Sequence, residues 1–263
     1  MTLSVPAGGE GISLAAAAAS TPESPRITEP VTPVLTDPTR ATALGEMTAR
    51  IDAAARAVGR NPEEITTIVV TKFHPADLVR DLYALGVRDV GENRHQEARD
   101  KAEETADLTG LRWHFIGQLQ SKKARQVRRY ASSVHSLDRI SVVDALAQVD
   151  PEFPDAPPLP GFIQVNLTDD PARGGVHPDD VLALATRVLE APALSLQGVM
   201  AVAPLEGDPR IAFERLRELS DRVRTLKPDA RYISAGMSHD FAEAIAEGAT
   251  HLRIGSAITG NRR

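Results

Sequence analysis

The stretch 68-IVVTKFHP-75 decides how the rest of the chain is read. Ile68, Val69 and Val70 are β-branched and consecutive, which marks a strand more than a helix turn. A doubly wound dinucleotide fold would continue from its first strand into a Gly-rich turn. Thr71, Lys72, Phe73 and His74 stand there instead, with no glycine among them. The strand thus delivers a lysine where an apolar scaffold gives way to a loop, a place that suits a nucleophile as well as a solubilising charge.

Outward from this strand the sequence alternates regularly. Short apolar runs recur at 67-TIVVTK-72, 88-RDVGEN-93, 112-RWHFIGQ-118, 133-SVHSL-137, 161-GFIQVNL-167, 196-LQGVMAVA-203, 231-RYISAGM-237 and 250-THLRIGS-256. Helical patterns such as ADLVRDLYALG, HPDDVLALATRVLE and AFERLRELSDRVRTL lie between them. Strands alternating with helices imply parallel pairing through right-handed crossovers. Eight such units over roughly 220 residues predict an α/β fold, a single (β/α)8 barrel of the TIM type. Before the first strand, Leu44, Met47, Ile51, Ala54, Ala55 and Val58 recur at helical spacing and Gly59 supplies a stop. After the eighth strand only AITGNRR remains, so this extra N-terminal helix is expected to fill the gap left by a truncated last unit. Residues 1–42 are rich in Pro, Ala and Thr and predict a flexible tail; residues 43–263 are expected to form the barrel.

Of the 263 residues 42% are hydrophobic and 25% charged, the composition of a globular protein that can bury a core unaided. There is no cysteine, which excludes disulfides, thiol catalysis and Cys-ligated zinc and agrees with a reducing cytoplasm. The net charge of −6 disfavours nucleic acid and anionic membranes as partners. No apolar run approaches the roughly 20 residues that cross a bilayer. The alanine run near the N-terminus has no basic residue before it, so no secretory signal is read there.

In such a barrel the site forms where strands end. Those ends carry Lys72, Asn93, His114 with Gln118, His135, Asn166, Met200, the run Ser234 to Ser238, and Arg253 to Ser256. Any one of them has an ordinary explanation as a turn former or a satisfied core residue; their joint placement is the stronger signal. The loop 234-SAGMSHDF-241 sets Gly236 and Ser238 before a helix, with Asp240 and Glu243 at capping-box spacing. The loop 253-RIGSAITG-260 repeats the device with Gly255 and Ser256. Two such loops after strands seven and eight are where these barrels grip a phosphate. A phosphate grip facing a strand-end lysine fits a phosphorylated aldehyde, and pyridoxal 5′-phosphate (PLP) is the obvious one. Arg253 could reach its ring, and as an obligate donor it would bind an unprotonated pyridine nitrogen. The pair His95 and Glu97 imitates a zinc-deaminase H-x-E without the required PCxxC, and the basic run KKARQVRR reads as a solvated helix face.

These residues resemble a known family. VTKFHP, DVGENRHQEARDKAEE, WHFIGQLQSKKAR, VHSLDR, QVNLTDDPARGGV, LQGVMAV and SAGMSHDFAEAIAEGATHLRIGSAITG are similar, in order, to the pyridoxal phosphate homeostasis proteins. These are relatives of the alanine racemase barrel in the class called fold type III. The resemblance covers residues 43 to 260. It implies that Lys72 holds PLP as a Schiff base, that Gly236, Met237, Ser238, Gly255 and Ser256 hold its phosphate, and that Arg253 faces its ring nitrogen. Asn93 and Met200 would line the cofactor, with His114, Asn166 and Ser234 as neighbours. ARGG at 172–175 and SAGMS at 234–238 depart from the family's usual wording at the mouth. The resemblance implies binding and managing PLP without a dedicated turnover reaction; the chain is expected to be a monomeric cytoplasmic carrier that buffers PLP and delivers it to apo-enzymes. Racemases of this class cover the cofactor with a second domain, for which this chain leaves no residues. The alternatives are a small PLP-dependent enzyme, such as an amino-acid racemase, and a Schiff-base phosphosugar aldolase on the same barrel.

Overall fold

The computed structural model describes residues 37–168 and 170–260. Residues 1–36, the greater part of the expected tail, lie outside the described residues, as do Asn261, Arg262 and Arg263. The first helix, α1 (Pro38–Ala57), starts five residues before the first position expected for it. The Asp37 carboxylate accepts from Thr39 N at 3.0 Å, and Pro38 occupies the first turn, where its missing N–H is no loss. The sequence alone reads proline at 38 as tail; at that position it begins a helix. The stop at Gly59 is as expected: its φ of +74° lets Arg60 N reach back to Ala55 O at 2.9 Å.

From there β1 (Thr66–Val70), α2 (Ala76–Ala84), β2 (Asp89–Glu92), α3 (His95–Glu104), β3 (Arg112–Phe115), α4 (Ala124–Arg128), β4 (Ser133–Leu137) and α5 (Ile140–Ala147) form the first half. The second half is β5 (Leu159–Gln164), α6 (Val181–Leu189), β6 (Leu194–Met200), α7 (Pro209–Leu226), β7 (Tyr232–Ser234), α8 (Phe241–Ala246), β8 (His251–Ile254) and α9 (Ser256–Thr259). All eight strands pair in parallel and in sequence order, and β8 closes on β1 with Ile68 opposite Arg253. This is the expected (β/α)8 barrel.

The strands are buried because helices cover them outside and side chains fill them inside. Val69, Ile163, Val199 and Ile254 belong to the continuous core, each at most 1% exposed. The last unit ends in the short α9, and α1 packs against both α8 and α9 through Met47, Ile51 and Ala55. Arg40 extends α1 to an ion pair with Asp81 of α2. The leading helix therefore bridges α8 and α2 around the seam of the ring.

Two local expectations are corrected. The basic run 122–129 is not simply a solvated face: Arg125 and Arg129 both bind the buried Asp150 carboxylate at 2.8 Å, and Arg128 donates to Leu146 O and Ala193 O. Asp240 and Glu243 form no capping box, because the Asp240 carboxylate turns back to accept from Met237 N and shapes the loop instead.

Candidate functional site

Lys72 lies two residues past the end of β1, which stops at Val70. Thr71 N still donates to Gly91 O at 3.0 Å, so the ladder carries the chain one residue further before it turns. The turn is unusual at Phe73, whose φ of +67° makes it the sole described non-glycine residue in the left-handed region. Such a conformation costs of order 1 kcal/mol or more and persists where neighbours over-determine it.

Those neighbours come from a buried ionic cluster under the turn. Lys101 of α3 donates to Thr71 O at 2.8 Å, to Glu92 at 2.6 Å and to Glu97 at 2.7 Å. Thr71 donates its hydroxyl to Glu92 at 2.7 Å, and Glu97 accepts from Phe73 N. The two peptide groups that flank Lys72 are thus both tied to one charge cluster. Burial pushes the Glu92 carboxyl up, against the pull of the Lys101 ammonium. Sequence reading missed Glu92 and Lys101, and met Glu97 only in the H-x-E imitation. Their available signal was the i, i+4 spacing of Glu97 and Lys101.

Above the turn, at the C-terminal end of the barrel, opens a cavity of about 710 Å³. Lys72, Asn93, Met237, Ser238, Arg253, Gly255 and Ser256 all line it. Seven of the twelve expected residues are therefore brought together from β1, β2 and the loops flanking β8. The Lys72 amine has no carboxylate or hydrogen-bond partner among the described residues, in contrast to the fully tied Lys101. The hydroxyls of Ser238 and Ser256 are likewise unengaged there. Asn93 Oδ1 is buried and unpartnered, although a buried acceptor of this kind is normally satisfied. Asn93 is fixed from behind by Gly117: a Cβ on Gly117 would lie 2.0 Å from Asn93 O. Ile116, Gly117, Val202 and Thr259 also line the cavity and were not picked out from the sequence.

Arg253 enters the cavity from β8. Its guanidinium donates to Ser234 Oγ and to Ala201 O, both at 2.7 Å. Burial brings its pKa down to about 10, so it remains a cation at neutral pH. Ser234 and Met200 sit behind the wall, at most 1% exposed and paired with one another in register. Gly236 is also behind it; at φ +91° its backbone packs against α8, where a Cβ would meet Ala244 Cβ at 2.8 Å.

The other two of the five expected residues that do not line this cavity lie away from its wall as well. Asn166 is occupied with its own loop, accepting from Thr168 N at 2.9 Å and donating to Asp170 O at 2.9 Å. His114 points to the opposite end of the barrel, where its Nε2 meets Asp89 at 2.8 Å. It lies within β3 and not past its end, so it joins Asp89, Ser133 and His251 around a separate cavity of about 310 Å³. His135 lies between the two ends, wholly buried and stacked on Phe162.

With this geometry in view, comparison with known proteins gives a consistent picture. The alanine racemase N-terminal domain family matches residues 43–263. A pyridoxal phosphate homeostasis protein of Mycobacterium tuberculosis is 40% identical over 237 residues, spanning 84% of this chain and 92% of its own. One from Pseudomonas aeruginosa is 41% identical over 222 residues, spanning 83% and 94%. Among solved structures, PipY of Synechococcus elongatus with PLP bound is 31% identical with a TM-score of 0.73, covering 84% of this chain and 100% of that one.

Proposed function

We propose, from the premise that this chain belongs to the pyridoxal phosphate homeostasis protein family within the alanine racemase N-terminal domain class, that it binds PLP in the mouth cavity and buffers the cell's supply. When bound, the cofactor supplies an aldehyde that condenses reversibly with a primary amine. Lys72 is the amine that this cavity offers, and its freedom from any carboxylate among the described residues is the observation that carries the reading.

The remaining groups divide the work of holding the ligand. Ser238, Ser256 and the backbone around Gly255 offer unengaged donors to a phosphate. Asn93 lines the cavity beside them, its Oδ1 buried and unpartnered. Arg253 presents a buried cation that can only donate, which favours an unprotonated ring nitrogen and so a weak electron sink. That favours storage over carbanion chemistry. Among the described residues no tyrosine lines the cavity; its other titratable wall groups are His74 and His239. Delivery to apo-enzymes from a cytoplasmic monomer completes the proposal.

The test is chemical. Purified protein loaded with PLP is reduced with borohydride and digested, and peptide mass spectrometry locates the pyridoxyl group. It is expected on Lys72 and absent from Lys72→Ala. Attachment elsewhere, with Lys72 unmodified, overturns the reading. Sustained turnover of amino acids by the wild type but not by Lys72→Ala would replace storage with catalysis.

A further inference from the structure

Barrel interiors are ordinarily filled by apolar layers. Here a line of polar side chains crosses the interior from one mouth to the other. Arg253 Nη1 meets Ser234 Oγ at 2.7 Å, and Ser234 Oγ meets His135 Nδ1 at 2.9 Å. His135 Nε2 lies 3.0 Å from Ser133 Oγ and 3.1 Å from His114 Nδ1, while Ser133 Oγ lies 2.7 Å from the same His114 nitrogen. His114 Nε2 then reaches Asp89 at 2.8 Å, and Asp89 is held by Arg112. Every member but Arg112 is buried.

The two ends constrain the direction of the links between them. A guanidinium can only donate and an ionised carboxylate can only accept. Burial raises Asp89, but hydrogen bonds from His114 and Arg112 outweigh that and hold its carboxyl at about 2, so the acceptor end is ionised. His114 therefore carries a proton on Nε2, and with that single ring proton its Nδ1 accepts. His135 then carries its proton on Nε2 and donates toward Ser133 or His114. Its Nδ1 accepts the Ser234 hydroxyl, whose oxygen in turn accepts from Arg253. Burial keeps His135 well below its usual pKa, so its imidazole stays neutral.

We infer that Ser234, His135, His114 and Asp89 are positioning residues that hold the Arg253 guanidinium against the ring of the bound cofactor, with Asp89 setting the direction of the line from the opposite mouth. This rests on the proposed binding of PLP beside Arg253. Buried polar groups cost stability unless fully paired, and an apolar filling would be the cheaper interior. The line keeps one N–H of Arg253 on a neutral oxygen, so no carboxylate competes with the cavity for its charge. Replacing Asp89 by asparagine removes the obligate acceptor. The amide can donate to His114 Nε2, which reverses both tautomers and makes His135 Nδ1 a donor to Ser234. The Ser234 hydroxyl proton then loses its acceptor, and the Arg253 contact changes although the substitution is at the far end.

The experiment compares the absorption spectrum of bound PLP, and its Kd, in wild type, D89N, S234A and S234T, with urea melts as the control on folding. D89N and S234A are expected to move the absorption maximum by several nanometres in the same direction and to weaken binding several-fold. S234T, which keeps the hydroxyl, is expected to restore both. Wild-type spectra and affinity in folded D89N and S234A overturn the inference; if S234A does not fold, D89N decides it alone. A wild-type protein that takes up no PLP at Lys72 fails the functional proposal instead, so the two failures are distinct.

Discussion

Lys72 and Lys101 are the same residue type within the stretch from β1 to α3, and their surroundings give them opposite tasks. Lys72 stands at the edge of a cavity with its amine uncommitted, while Lys101 spends its three donors on Thr71 O, Glu92 and Glu97. The second lysine thereby places the first: its carboxylate partners and its own ammonium hold both peptide groups that flank Lys72. Lys101→Met removes the cation and leaves Glu92 buried beside Glu97. Breaking a buried pair from one side costs about 3–5 kcal/mol, because the abandoned charge is not resolvated. Urea denaturation should show a loss of that order. In the fraction that stays folded, PLP should condense with Lys72 more slowly, since the strained turn at Phe73 is released. Wild-type stability in Lys101→Met would show that the cluster does not hold the turn.

At the scale of elements, the site depends on how strand ends are packed against one another. Gly117 follows β3 and lies so close to the end of β2 that any Cβ would overlap Asn93 O. Gly117→Ala must push these two ends apart. Because Asn93 lines the cavity, PLP affinity should fall by about tenfold, roughly the 1.4 kcal/mol of one lost hydrogen bond. Equilibrium titration of the variant checks this. Asp37→Ala, by contrast, removes the cap of α1 and its ion pair with Arg40, and should lower stability slightly without changing affinity. The order of strands and helices was legible in the sequence because hydrophobic period and β-branched runs are local signals. Lys72, Ser238, Arg253 and Ser256 were legible because a barrel puts its strand ends on one face. The direction of His114 was not: β3 is four residues long, and whether its third residue serves the upper or lower mouth depends on the register, which sets it opposite Gly91 and Ser133. The start of α1 at Pro38 was hidden for a related reason, since proline reads as a breaker until an Asp37 cap places it in a first turn.

For the molecule as a whole, the polar interior makes stability depend on pH. His135 and His251 are both depressed, chiefly because burial disfavours the imidazolium; His251 falls to about 4. In the unfolded chain both take up protons near the ordinary value of 6.5, whereas the folded protein refuses them until the medium is far more acid. Between those limits the unfolded state binds more protons, so stability rises with pH. The contribution is complete above about pH 6.5 and is lost as pH falls toward 4. Glu92 runs the other way: its raised carboxyl favours the protonated folded form, so its share weakens as pH rises through its folded value. Asp138 is raised by burial in the same way as Glu92, while His74 and His95 are lowered like His135 and His251; four histidines against two carboxyls leave a net loss of stability on acidification across this window. Each proton of difference contributes a slope of about 1.4 kcal/mol per pH unit. Urea midpoints measured from pH 7.5 down to 4.5 should therefore fall steadily. His251→Gln, which keeps a polar group beside Thr250 but cannot become a cation, should make that fall shallower by up to one proton's slope. An unchanged slope in this variant would mean that His251 already takes up its proton in the folded barrel near the unfolded value.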